Sequence, residues 1–210
     1  MAVIESPSVA GQYAEVDAKN NLLVRAGGVR DFAAVGGGFS VAGSTSAVIA
    51  AALAANTMLA SLRFNPASSR AAYITRIRVL IAPATFGAAG GVAGTLGWQL
   101  FTAQTPTGGT ARTPTRKNST TGSGTDMFDV RDSNAALTGT APTFGTIVAV
   151  SLVPVSVASA SPIEWIVDMD DFNGEPLRLG PGDGLALRTQ VAMAATQTWL
   201  YSYTAHYFEK

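Results

Sequence analysis

Between Tyr73 and Ala82 the sequence alternates. Tyr73, Thr75, Ile77, Val79 and Ile81 fall on one side, and Ile74, Arg76, Arg78 and Leu80 on the other. A period of two belongs to an extended strand with one buried face. The same period governs the end of the chain, where Trp199, Tyr201, Tyr203, Ala205 and Tyr207 oppose Leu200, Ser202, Thr204, His206 and Phe208. It recurs at 57–65, with Met58, Ala60, Leu62 and Phe64 facing one way and Leu59, Ser61 and Arg63 the other. At 95–105, Leu96, Trp98 and Leu100 oppose Gly97, Gln99 and Phe101.

Further strands are expected at 126–131, at 146–157, at 162–169 and at 185–193. Pro154 marks the second of these as an edge strand or a bulged one. Glycine and proline clusters separate the strands, and a tight turn is expected at Gly180-Pro181-Gly182-Asp183-Gly184. Residues 105–125 and 134–144 read as two polar loops. One helix candidate exists, residues 44–56, rich in alanine with Ser44 or Ser46 as its cap. A strand followed by a turn is the other reading of that segment. About eight strands with at most one short helix predict an all-β, antiparallel sandwich or barrel. Residues 1–36 form an expected N-terminal arm, with extended pieces at 13–16 and 22–25. It is either a frayed terminus or an arm that reaches a neighbour. Residues 37–210 form the expected β domain.

Charge narrows the function. Of 210 residues only 13% are charged, and the 14 basic and 14 acidic side chains cancel. An average soluble protein carries about 25%. So neutral a surface predicts association, because sparse charge leaves little to oppose contact between copies. No basic block marks a nucleic-acid partner. The longest apolar stretch, 46–55, is half the roughly 20 residues of a membrane span. Met1 to Pro7 has no basic region before Glu5, so no secretory signal is expected.

The catalytic inventory is thin. There is no cysteine, and His206 is the only histidine. A zinc site or a nucleophilic triad would lack partners. Asp168, Asp170, Asp171, Asn173 and Glu175 are the candidate metal ligands, since clustered hard oxygens suit calcium. A solvated turn between two strands, with Asn173-Gly174 at its tip, is the favoured reading of the same residues. The basic trio Arg112, Arg116 and Lys117 lies in the first polar loop, where a solvated loop is the favoured reading and a meeting with an acidic neighbour the other. With Trp199, Tyr201, Tyr203 and Tyr207 it makes up the candidate interface. No cofactor and no catalytic residue is expected.

The run from Glu175 through Leu179-Gly-Pro-Gly-Asp-Gly-Leu185 to Tyr201 resembles small virion structural proteins of tailed bacteriophages. Residues 56–64, 77–81 and 96–103 are similar to paired strands of that group. The resemblance covers about residues 40–210. It implies a jelly-roll-like sandwich, displayed on a virion as a homotrimer and free of catalytic residues. The function it implies is capsid decoration or cement, with the major capsid protein or other virion proteins as partners and the arm touching the shell. A tail, baseplate or fibre component is the alternative. An alternative of another class is a carbohydrate- or ligand-binding jelly roll using Trp98, Trp165 and Trp199 beside the acidic cluster.

Overall fold

A computed structural model describes residues 4–5, 13–16, 22–23, 38–46, 48–49, 53–85, 94–116, 128–153, 162–168, 176–193 and 198–209. Three strands precede the body: β1 (Ile4–Glu5), β2 (Tyr13–Val16) and β3 (Leu22–Leu23). They pair as an antiparallel meander of their own. The body follows with β4 (Gly38–Ser44), β5 (Val48–Ile49), β6 (Met58–Phe64), β7 (Ala72–Thr85) and β8 (Gly94–Thr102). Next come β9 (Thr110–Arg112), β10 (Thr115–Arg116), β11 (Phe128–Asp132) and β12 (Thr143–Val153). The chain ends with β13 (Ile163–Asp168), β14 (Leu177–Leu179), β15 (Gly184–Thr189) and β16 (Thr198–Glu209).

Two antiparallel sheets result. The first runs β10-β4-β16-β7-β13, with β5 attached to β16 and β14 to β7. The second runs β12-β8-β15-β6-β11-β9. The pairings are nested: β8 with β12, β7 with β13, β6 with β15 and β4 with β16. The chain is a long two-stranded ribbon, rolled until β16 also meets β7 and β15 also meets β8. That connectivity is a jelly roll, and the all-β sandwich expected from the period-two pattern is present.

The core lies between the sheets. Ile77, Val79, Ile81, Leu96, Trp98, Leu185 and Leu187 are fully buried there, with the aromatic row of β16. A second, smaller cluster joins Met58, Phe101, Leu137 and Ala186 on the other side of the second sheet, with Phe144 against it. The segment between β8 and β12 covers that face, which is why every residue of β15 is buried.

Two bulges correct the facing read from sequence. Ile74 pairs with Tyr207 and Arg76 with His206, so Thr75 is an extra residue in β7. Its Oγ1 donates to His206 O at 3.2 Å. An added residue reverses the facing beyond it. Ile74 is therefore buried, whereas Tyr73 and Thr75 are half-exposed. Likewise Met58 pairs with Arg188 and Ala60 with Leu187, which makes Leu59 the extra residue in β6. Leu59 joins the main core, and Met58 turns to the smaller cluster.

The helix at 44–56 is also corrected: among the described residues there is none. Ser44 ends β4, and Val48 and Ile49 pair with Trp199 and Thr198. Burying Val48 and Leu53 outweighs alanine's helix preference, which is worth only tenths of a kcal/mol per residue. The turn at 180–184 forms as expected. Asp183 N donates to Gly180 O at 3.0 Å, Gly182 takes φ +84°, and the Asp183 carboxylate accepts from Gly180 N at 2.9 Å.

Candidate functional site

The loop read at 105–125 carries two short strands. β9 pairs with β11 at the edge of the second sheet, and β10 pairs with β4 at the edge of the first. Two residues separate them, so the chain crosses from sheet to sheet and closes that side of the sandwich.

What holds the crossing is a carboxylate. β11 alternates Phe128, Val130 and Asp132 inward, leaving Asp132 1% exposed. Arg112 meets it with both prongs, Nε to Oδ2 at 2.7 Å and Nη2 to Oδ1 at 2.9 Å. The same Nη2 donates to Ser44 O at 2.6 Å, and the Tyr203 hydroxyl to Asp132 Oδ2 at 3.3 Å. The hydrogen bond to Asp132 raises the Arg112 pKa above its ordinary value, against the opposing effect of burial. Beside this pair the Tyr201 hydroxyl lies 2.8 Å from Leu59 O and 2.9 Å from Ser133 O. Gly43 permits the approach: a Cβ there would sit 2.1 Å from Asp132 Oδ2 and 2.5 Å from Tyr203 Cε1.

The structure brings Arg112 and the four aromatic residues of the candidate interface together, but the aromatic residues lie inside the molecule. Trp199, Tyr201, Tyr203 and Tyr207 are each at most 2% exposed, so they are core and offer no face to another subunit. Burial pushes the hydroxyl pKa values of the three tyrosines above the ordinary range. Arg112 is spent on Asp132. Arg116 lies 5.6 Å above the Phe39 ring, which stacks on Tyr207 at 5.4 Å. Lys117 lies outside the described residues. The acidic neighbour of Arg112 is thus Asp132 of the same chain. The expected strand at 126–131 stopped one residue short of it. Extending the inward parity of Phe128 and Val130 would have found it.

Of the candidate metal ligands, Asp168 is ion-paired with Arg76 at 2.9 Å. Asp170, Asp171, Asn173 and Glu175 lie outside the described residues. Among the described residues no three histidine or acidic side chains converge on a metal position. The tryptophan site is corrected as well: Trp98 and Trp199 are buried in the core, and Trp165 packs against it, so they make no ligand surface.

The outer face of the first sheet is different. Ser40, Ala42, Ser44, Ser202 and Thr204 cover its β4–β16 half with small neutral side chains, next to His206. On its β7–β13 half Arg76 pairs with Asp168 and Arg78 with Glu164. Leu80, Ile166 and Leu200 stand exposed among them, at 39%, 50% and 36%. A scan against protein-family models finds none that matches the chain, and a search of curated proteins finds no match either.

Proposed function

We propose that the chain is a structural subunit of a bacteriophage particle, a capsid decoration protein that binds the capsid surface as a homotrimer. The observation that carries this reading is the outer face of the first sheet. It is broad and small-featured, and exposed leucine and isoleucine lie within it. Arg76 and Arg78 are matched there by Asp168 and Glu164, so a surface laid on that half strands neither pair. Close protein contact needs that combination. The low overall charge, the jelly-roll connectivity and the resemblance to phage virion proteins point the same way. Jelly rolls also serve as lectins and enzymes, so the fold alone does not choose among functions.

The test has two parts. Sedimentation of the purified chain should report a trimer, and immunogold labelling should decorate particle heads. Gold confined to tails would replace this reading with a tail component. A solitary monomer at micromolar concentration, with unlabelled particles, would end it.

A further inference from the structure

Between the second sheet and the loop that covers it lies a cavity of about 370 Å³. That volume is within the range of small-molecule sites, about 300 to 1,000 Å³. Its lining contains no charged residue: amides and hydroxyls from Asn56, Gln104 and Thr138 share it with Met58, Leu137 and Phe144. Gln104 is only 3% exposed, and its Oε1 has no hydrogen-bond partner among the described residues. A buried acceptor left unpaired is rare enough to require a reason.

The wall around it is braced. Ala103, next to Gln104, holds φ +63°, a left-handed conformation that alanine adopts only under constraint. Asn56 also takes a left-handed φ, +67°. Strain of this kind collects at binding sites. The rim is stitched to the β8 end, with Thr107 N donating to Thr138 O at 2.9 Å and Thr140 Oγ1 to Ala103 O at 3.3 Å. From behind, Arg188 hydrogen-bonds the Asn56 side chain and lies 3.8 Å above the Phe144 ring. Arg188 is 6% exposed, and burial with no charged partner beside it among the described residues lowers its pKa. It is a positioning residue that fixes two lining side chains without entering the cavity.

We infer that this cavity binds a small neutral saccharide, with the ring against Phe144 and its hydroxyls meeting the side-chain amide of Gln104. A neutral lining disfavours an ionic ligand, which would lose its hydration without a counter-charge in direct contact. Amide groups beside an aromatic wall suit a molecule with hydroxyl edges and apolar C–H faces. This site is separate from the outer face of the first sheet and stands or falls independently of the virion reading.

The experiment is saturation-transfer NMR and calorimetry on the full chain. The probes are glucose, galactose, mannose, N-acetylglucosamine, their disaccharides, and galacturonate as the charged control. At least one neutral sugar should bind saturably. Gln104→Leu should weaken it about tenfold, the equivalent of one lost hydrogen bond, with no fall in melting temperature. Gln104→Met removes the amide at the same chain length and should weaken it too, and it checks the site should the leucine variant misfold. The inference is overturned if no neutral sugar binds, if galacturonate binds more tightly, or if binding survives both substitutions.

Discussion

Two tyrosines six residues apart on the same face of β16 carry opposite obligations. The Tyr201 hydroxyl bridges Leu59 O and Ser133 O, tying β6 and the end of β11 to the first sheet. The Tyr207 hydroxyl is buried with no hydrogen-bond partner among the described residues. Removing a bonded hydroxyl strands its partners at about 1–3 kcal/mol, whereas removing an unbonded one relieves a desolvation penalty. Tyr201→Phe should therefore lower stability in urea unfolding, and Tyr207→Phe should leave it unchanged or raise it. Equal losses would contradict the assignment. Asp132 sharpens the same logic. With Arg112→Ala, its carboxylate keeps only the Tyr203 hydroxyl at 1% exposure. Stranding a buried charge costs about 3–5 kcal/mol. Asp132→Asn with Arg112→Met removes both charges and should recover part of that loss, read as a non-additive thermodynamic cycle. Gly43→Ala should also destabilise by about 1–3 kcal/mol, since the new methyl displaces Asp132 or Tyr203.

The strands themselves were legible where their side chains alternate without interruption, and misread where a bulge intervenes. Val79 and Ile81 point inward, Arg78 and Leu80 outward, as their spacing requires. At Thr75 and Leu59 an inserted residue reverses the facing, and no local composition announces it. A bulge is fixed by the partner strand, which local spacing does not encode. The short strands β9, β10 and β14 are set by long-range pairing for the same reason, and the alanines of 44–56 misled through intrinsic preference alone. In the site, Arg112 was found by its charge and the tyrosines by their alternation, but their common partner Asp132 needed one more residue of strand. The Thr75 bulge gives a direct check. Ile74 is buried, although uninterrupted alternation places it outside. Ile74→Ala should cost about 2–5 kcal/mol in chemical denaturation, and Ile166→Ala, half-exposed in the neighbouring strand, about 0.5 or less.

At the scale of the whole molecule, β16 is the strand the rolled ribbon closes around: it pairs with β4, β5 and β7 and presents its aromatic row to the second sheet. The packing continues across the core, with Trp98 edge-on to Tyr203 at 6.2 Å and Phe128 against Tyr207 at 4.5 Å. Three titratable hydroxyls thus sit between the sheets, where ionisation requires the sandwich to open. An unfolded tyrosine loses its proton near pH 10. In the fold, burial raises all three above that value, with the Asp132 charge adding to the effect at Tyr201 and Tyr203. Below about pH 10 both states hold these protons, and stability does not depend on them. Above it the unfolded chain releases protons that the folded chain retains, so stability falls by about 1.4 kcal/mol per pH unit for each tyrosine. Three together remove about 4 kcal/mol per unit, enough to exhaust a typical domain within two or three units. The expected outcome is a cooperative alkaline transition, with phenolate absorbance at 295 nm from these tyrosines rising in step with loss of the β-sheet circular dichroism. Ionisation of more than two of the chain's five tyrosines near pH 10, with the sheet signal intact, would mean that the row is wet and that the two sheets do not close over it.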